Sequence, residues 1–181
     1  EVNLIFIGDV DQLAPVGPGA FFRDLIKSGI TKTYWLKTNH RQGKGSLIAE
    51  NALRINRGEM RLTMGDDLSF IEASNPIAAR EKILNLILKL AEDYPNTLED
   101  VQVLSPQKST VVGVTALNEM LRFELNPNAK SNQKFSVGDK VMQTKNNYKL
   151  QIFNGFCGII ADETKTDYLI NFFGNDKQVK Y

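Results

Sequence analysis

The prediction of the fold starts from residues 4–19, which read LIFIGDVDQLAPVGPG. Residues 4–7 form a short apolar run of mostly branched side chains, and the run stops at Gly8-Asp9. Such a run is typical of a strand that is buried on both faces of a parallel sheet. A loop rich in proline and glycine follows, and residues 20–26 then have helical spacing. The pattern predicts a strand–loop–helix unit.

Three polar side chains, Asp9, Asp11 and Gln12, come just after the predicted strand. In open α/β sheets, the ligand crevice lies outside the carboxyl ends of the strands. These side chains are therefore placed where chemistry on a phosphate can be sensed. Considered by spacing alone, an ordinary strand-to-helix loop with capping aspartates remains an equal alternative, because such units are common.

Strands and helices alternate over the first two thirds of the chain. Apolar runs predict strands at residues 32–36, 68–72 and 101–105, and helical periodicity predicts helices near 19–28, 46–57, 76–93 and 111–125. Short runs separated by polar turns replace the helices after residue 126. They predict strands at residues 140–144, 156–161, 168–173 and 178–181, and their even spacing indicates a small β-barrel or meander.

Composition limits the classes of protein to consider. The chain has 181 residues, 42% hydrophobic content and a net charge of +1, which is typical of a soluble globular protein. Any nucleic-acid binding must then come from a local patch. The single cysteine, Cys157, excludes an internal disulfide, and no Cys/His set for zinc is present. We find no membrane-length apolar run and no signal peptide, so we expect a cytoplasmic protein.

Four segments, in order along the chain, resemble motifs of one enzyme family. Residues 8–19 resemble motif III of superfamily 1 DNA helicases, in the version found in the RecD-like proteins (the exodeoxyribonuclease V alpha subunit and its relatives). LKTNHRQ at residues 36–42 resembles motif IV of the same group. VLSPQK at residues 103–108 and VGDKVMQT at residues 137–144 also match its pattern. Four matches in the right order are much more specific than any one alone.

The resemblance implies an α/β fold of partial RecA-like (P-loop NTPase type) parallel-sheet layers with an inserted small SH3-like β-barrel. Residues 1–37 would end the first RecA-like domain, residues 38–135 would be part of the second, and residues 136–181 would be the SH3-like insertion. The chain starts without Met and ends in a predicted strand, so we expect an internal fragment. It contains no P-loop, because GKGS at residues 43–46 has the wrong order and spacing. ATP and Mg²⁺ are the cofactors implied for the parent protein, and the fragment alone should not hydrolyse ATP.

The resemblance also assigns two nucleotide-binding, catalytic residues. Gln12 matches the motif III glutamine near the γ-phosphate, where a neutral amide can both donate and accept hydrogen bonds. Arg41 matches the motif IV arginine, which reaches the γ-phosphate from the second domain and stays charged. We interpret His40 as a bystander, and Asp9 and Asp11 mainly as residues that shape the loop. Two carboxylates alone are too few for a magnesium site.

Two segments are candidates for DNA binding. The first is a polar loop that follows a predicted strand, and its members are Ser105, Pro106, Gln107 and Lys108. The second runs from residue 130 to 149, where five lysines, including Lys145, and interleaved aromatics, including Tyr148, stand against a single acid, Asp139. Cations and aromatic rings can hold a single strand by charge and stacking. The alternative for this run is that its aromatics are core residues and its lysines only make an edge soluble.

Taken together, the sequence predicts a fragment of an ATP-dependent 5′–3′ DNA helicase that couples ATP hydrolysis to movement along single-stranded DNA. The implied partners are single-stranded DNA and, where the parent works in that complex, the other exonuclease V subunits; no membrane is implied. Two alternatives stay open: the helicase portion of a conjugative relaxase, and a non-catalytic SH3-like protein-binding module.

Overall fold

The computed structural model describes residues 2–38, 43, 45–174 and 178–181. The chain divides into two compact units, residues 1–71 and residues 72–181.

The first unit contains two helices, α1 (Phe21–Ser28) and α2 (Leu47–Asn56), close to the predicted positions. Helix α1 ends at Gly29, whose φ of 67° is left-handed and whose N–H donates to Ile26 O at 3.3 Å. Glycine adopts this conformation without a Cβ clash, so it is the usual residue after a helix end. The predicted helix end is confirmed.

The start of α2 is held by a residue from a later part of the chain. Ser46, which we predict as the N-cap of this helix, does precede it, but its side chain makes no capping hydrogen bond to the helix backbone. The Asp67 carboxylate accepts two hydrogen bonds through Oδ2, from Ser46 Oγ at 2.8 Å and from Leu47 N at 2.9 Å. A carboxylate at a helix N-terminus satisfies a backbone donor, and its negative charge interacts favourably with the positive end of the helix dipole.

The buried side chain of α2 is polar. Asn51 is buried, and its Nδ2 donates to Leu47 O at 2.8 Å and to Thr63 O at 2.7 Å, while its Oδ1 accepts from Thr63 N at 2.8 Å. The Asn51 side chain therefore satisfies both the N–H and the C=O of Thr63, as the backbone of a neighbouring strand would, and holds this segment against the helix.

The predicted parallel sheet does not form among the described residues. No strand is present at residues 4–7, 32–36, 68–72 or 101–105, and the apolar side chains of the first run are exposed, with Ile7 at 92%. A strand is stable only when neighbouring chain satisfies its N–H and C=O groups. The described chain places no such partner beside these runs, so none of these four predicted strands is observed in the described residues.

The second unit begins with three helices, α3 (Pro76–Asp93), α4 (Thr97–Asp100) and α5 (Val114–Leu125). Helix α3 begins as predicted at Pro76, and Asn75 Oδ1 accepts from Ala78 N at 3.0 Å. It ends where Thr97 Oγ1 donates to Leu90 O at 2.8 Å and Tyr94 O at 2.7 Å. Helices α3 and α5 pack together.

The remaining chain forms a four-stranded antiparallel sheet in the order β1-β2-β3-β4. The strands are β1 (Lys140–Met142), β2 (Cys157–Glu163), β3 (Tyr168–Phe172) and β4 (Gln178–Lys180). All four lie within the predicted runs or within two residues of them. The sheet is an open meander in the described residues, so the meander alternative is confirmed and a closed barrel is not observed.

The core of the second unit lies on one face of this sheet. It consists of buried apolar side chains from β2, β3, β4 and the β1–β2 loop: Ile152, Ile160, Ile170, Phe172 and Val179. Gly158 of β2 lies opposite Phe172, and a Cβ on this glycine would be 2.5 Å from Asn171 O. Glycine is therefore required where the two strands approach closely.

The β2–β3 turn is fixed by hydrogen bonds around Asp167. Thr166 Oγ1 donates to Asp167 Oδ2 at 2.5 Å, and Lys180 Nζ lies 3.0 Å from the same oxygen. These two contacts, of which the threonine hydroxyl has the larger effect, hold the pKa of the Asp167 carboxyl below its ordinary value.

No helix in the described part of the chain is long and apolar enough to cross a membrane.

Candidate functional site

The loop that carries Gln12 is organised by Asp9. Its Oδ1 accepts from Asp11 N at 3.0 Å, and its Oδ2 accepts from Gln12 Nε2 at 3.1 Å. Asp9 therefore shapes the loop, as the sequence predicted, and holds the amide of Gln12 in place. The side chain of Gln12 is exposed, so its carboxamide is accessible to a ligand.

Helix α1 supports this loop from the other side. Arg23 Nη2 donates to Val10 O at 2.8 Å. The Phe22 ring packs so close to Gly8 that a Cβ on Gly8 would lie 3.0 Å from it. Gly8 therefore allows the loop to approach helix α1 closely, and the carboxylate of Asp9 fixes the turn that follows.

The second predicted nucleotide residue, Arg41, and its neighbour His40 lie outside the described residues. Among the residues that are described, no group of three or more His, Cys, Asp or Glu side chains is arranged to hold a metal ion. Both oxygens of the Asp9 carboxylate are already engaged by the loop. The described residues therefore do not fit a magnesium site.

The first DNA-binding candidate, residues 105–108, is folded onto the start of α5. Val114 N donates to Gln107 O at 2.9 Å, and Thr115 N donates to Lys108 O at 3.1 Å. Ser105 Oγ donates to Val112 O at 2.8 Å, so its hydroxyl hydrogen closes the loop and is not directed to a ligand. Pro106, Gln107 and Lys108 are exposed.

The second candidate, residues 130–149, extends into the β1–β2 loop, residues 143–156, which is held together by internal hydrogen bonds. Asn147 and Ile152 exchange backbone hydrogen bonds of 2.7 and 3.1 Å, and Ile152 is fully buried. The side chain of Asn146 accepts from Asn154 N at 2.9 Å. Gln151 has a φ of 56°, which is uncommon for a residue other than glycine. The loop is therefore anchored in the core rather than loosely attached.

This loop presents aromatic rings on its surface. Tyr148 is 75% exposed, and its ring meets Phe153 edge to face at 6.0 Å, while Phe153 meets Phe156 at 5.7 Å. By contrast, Phe135 packs against the core beside Tyr168. Of the two aromatic residues in the 130–149 run, Phe135 therefore belongs to the core and Tyr148 is exposed.

The lysines of the run likewise include one that is bonded within the fold and others that are exposed. Lys140 Nζ donates to Val101 O at 2.9 Å and is committed to the fold. Lys145 and Lys149 are exposed beside Tyr148 in sequence, and the acid of the run, Asp139, is buried. The exposed part of the run is therefore cationic, as a phosphate-binding surface requires.

Comparisons with known proteins find similarity along most of the chain. The family of ATP-dependent RecD-like DNA helicase SH3 domains matches residues 117–172, and an AAA domain family matches residues 1–78. The ATP-dependent RecD2 DNA helicase of Deinococcus radiodurans is 28% identical over 177 residues, which cover 96% of this chain and 24% of that protein. The chain is therefore similar to a RecD-like DNA helicase over most of its length.

Other RecD-like relatives are subunits of a larger enzyme. The RecBCD enzyme subunit RecD of Mycolicibacterium smegmatis is 24% identical over 176 residues, covering 89% of this chain and 32% of that protein. The corresponding subunit of Mycobacterium tuberculosis is 24% identical over 177 residues, covering 87% and 31%. The chain therefore spans about a quarter to a third of the length of these curated relatives.

The RecD-like SH3 match begins within α5, and a cluster of polar side chains shows why this helix goes with the sheet. Arg122 of α5 donates to Ser136 Oγ at 2.8 Å and to Gln133 O at 3.1 Å, and its Nε lies 2.8 Å from Asp139 Oδ2 as an ion pair without hydrogen-bond alignment. Asn126 Nδ2 donates to the other Asp139 oxygen at 2.7 Å. Sequence reasoning missed this cluster. An aspartate after Gly138, within an otherwise basic run, was the one signal available.

Proposed function

We propose that this chain is the part of an ATP-dependent, 5′–3′ DNA helicase that senses the nucleotide and grips the single strand. The proposal rests on one observation: an AAA match over residues 1–78 is followed in the same chain by a RecD-like SH3 match over residues 117–172. The folded meander at residues 140–180 agrees with the second match.

Two residues sense the nucleotide in this proposal. When bound, ATP supplies the γ-phosphate whose loss drives movement. Gln12 Nε2, which now donates to Asp9 Oδ2 at 3.1 Å, donates to that phosphate instead and releases the Asp9 contact. Arg41 approaches the same phosphate as a permanent cation and stabilises the charge that develops on its oxygens. Loop shape thus depends on whether the γ-phosphate is present.

The domain arrangement is part of the proposal. The apolar runs that carry no strand here, at residues 4–7, 32–36, 68–72 and 101–105, become strands of RecA-like layers in the complete helicase. Their exposed branched side chains support this assignment, because such side chains are usually buried in parallel sheets. Residues 1–37 and 38–135 contribute to the first and second layers, and residues 136–181 form the SH3-like insertion.

The DNA strand is held by two exposed segments. Gln107 and Lys108 contact phosphates from the loop before α5, in which Ser105 and Pro106 maintain the loop shape. Lys145 contacts phosphates from the β1–β2 loop, and Tyr148 stacks on a base. Mg²⁺ accompanies ATP, and the other exonuclease V subunits are partners if the parent assembles as the RecBCD relatives do.

The test is the replacement of Arg41 by alanine in the complete helicase that contains these residues. Loss of a cation from the transferring phosphate should lower the DNA-stimulated ATPase kcat by about 10³-fold or more. Steady-state ATP hydrolysis with and without oligothymidylate measures this effect.

Arg57→Ala is the matched control, because Arg57 is an exposed arginine at the C-terminal cap of α2. We expect its turnover to stay within about twofold of the parent, as surface substitutions away from functional features have small effects. Near wild-type turnover of Arg41→Ala would refute the sensor role. An absence of DNA-stimulated hydrolysis in the parent would refute the helicase function itself.

A further inference from the structure

We propose that Arg122 is a positioning residue, which fixes the loop before α5 and the SH3-like sheet relative to each other so that both engage one DNA strand at once. The inference rests on the proposed DNA-binding function and adds to it a mechanism: two weak contact segments act as a single strong one because a helix joins them rigidly.

One contact segment is attached to the N-terminal end of α5. The first two amides of the helix donate to the carbonyls of Gln107 and Lys108. Gly113, which precedes the helix, is buried, and a Cβ there would lie 2.6 Å from Thr110 N. The backbone of the loop is therefore closed onto the helix, and Gln107 and Lys108 move with α5.

The other contact segment is attached at the C-terminal end. Arg122 lies in the last turn of α5, and the three nitrogens of its guanidinium each face a different partner from residues 133–139. Asn126, the residue after the helix, reaches the Asp139 carboxylate and Val137 O. Ser136, Asp139 and Asn126 are all buried, so water does not compete for these bonds.

Asp139 passes this constraint into the sheet. Its backbone carbonyl accepts from Ile160 N of β2 at 3.0 Å, and Gly138 N donates to Ile160 O at 2.8 Å. Ile160 is part of the buried core that also contains Ile152, the anchor of the loop that carries Lys145 and Tyr148. A continuous path of buried contacts thus runs from Arg122 to the exposed aromatic loop.

The guanidinium is specifically suited to this position. Its planar fork offers donors in fixed directions, whereas a lysine ammonium is a point charge on a flexible stem. Helix α5 has 12 residues, so its two ends lie about 18 Å apart at about 1.5 Å per residue. At about 3.4 Å per stacked nucleotide, that separation corresponds to roughly five nucleotides.

Rigid linkage has a measurable consequence. When one segment has bound a strand, the second segment meets it at a high effective concentration, and the total affinity exceeds that of either segment alone by about 10²-fold or more. This gain needs an oligonucleotide long enough to reach both segments. Loosening the joint should remove the gain and leave each separate contact intact.

The experiment measures fluorescence anisotropy of labelled oligothymidylates of about four and about twelve nucleotides. The first probe is shorter than helix α5 and the second is longer. The 181-residue chain should bind the longer probe about 100-fold more tightly than the shorter one. We expect Arg122→Met to reduce this ratio at least about tenfold, with the affinity for the short probe unchanged within about twofold.

A second variant covers the case in which Arg122→Met does not fold, because it leaves the buried Asp139 carboxylate without its cation. Arg122→Met combined with Asp139→Asn removes both charges and should give the same reduced ratio. Arg80→Met is the matched control. Arg80 also contacts α5, with its Nε 3.3 Å from Met120 Sδ, but it does not touch the sheet cluster.

The outcomes separate the two proposals. A folded Arg122 variant that keeps the wild-type ratio, or loses affinity for both probes equally, would overturn the positioning role and leave DNA binding standing. Failure of both variants to fold would also overturn it, since the cluster would then be a requirement for folding. If the unmodified chain bound neither probe, the proposed DNA grip itself would be wrong.

Discussion

Single residues in this protein carry constraints that their sequence neighbours do not reveal. Gly138 has a φ of 91°, and a Cβ at this position would lie 2.7 Å from Asn126 Oδ1. The glycine thus serves two purposes, because it adopts a left-handed backbone and leaves space for the amide that holds Asp139. Packing against Asn126 therefore accounts for the glycine of the VGDKVMQT segment.

Replacing Gly138 by alanine should destabilise the second unit through both effects. We expect a loss of about 2–4 kcal/mol, with about 1–2 kcal/mol from the left-handed backbone and the rest from displacement of Asn126. The midpoint of urea unfolding, followed by far-UV circular dichroism, measures the change.

Gly155 provides a closely matched control. Its φ is also 91°, but a Cβ there would meet nothing within 4 Å. Gly155→Ala should therefore show the backbone cost alone. Equal losses for the two variants would mean that the contact with Asn126 has no energetic role.

At the scale of elements, the sequence predicted best what is determined locally. Helix α3 is predictable because its apolar period and the proline in its first turn lie within one segment. The four strands of the meander were predicted because short apolar runs alternate with turn residues. Strands at residues 4–7 or 101–105 depend on neighbours distant in sequence, so local patterns were insufficient.

In the candidate site, too, contacts between residues close in sequence were predictable and contacts between distant residues were not. The role of Asp9 in shaping the Gln12 loop follows from residues two and three positions apart. The pairing of Arg122 with Asp139 joins residues 17 positions apart and leaves no periodic trace in the sequence. Its detection requires coordinates.

Helix α2 allows a test of capping by a residue distant in sequence. Asp67→Ala removes the carboxylate that accepts from Ser46 Oγ and Leu47 N, and should cost about 1 kcal/mol of local stability. Amide hydrogen exchange in the first turn of α2 should accelerate roughly fivefold, since about 1.4 kcal/mol corresponds to a factor of ten.

The neighbouring Asp66→Ala variant removes an exposed carboxylate that takes no part in these bonds, and exchange should stay unchanged. If both variants accelerated exchange equally, the cause would be general charge near the helix and not the cap.

At the scale of the whole molecule, the buried apolar side chains are unevenly distributed. All that are described lie in residues 72–181, from Ile87 to Val179. In the described part of residues 1–71, the one buried side chain is Asn51, while many large apolar residues are exposed. Because apolar burial is the dominant favourable term in folding, we expect the second unit to supply most of the folding free energy.

We therefore expect a polypeptide of residues 72–181 to unfold in one cooperative thermal transition, with a midpoint within about 5 °C of that of the whole chain. A polypeptide of residues 1–71 should show no cooperative transition. Calorimetry of both, beside the 181-residue chain, measures this. A large drop in the midpoint for residues 72–181 would show that the first unit supplies essential packing.

The open meander has a final consequence for behaviour in concentrated solution. Its outer strands, β1 and β4, pair on one side only within the described residues, and an unpaired edge can recruit a strand from another molecule. Each outer strand is three residues long and contains a lysine, Lys140 or Lys180. Borders as short as these offer few unpaired backbone groups to another strand, so the sheet can stay open without promoting aggregation.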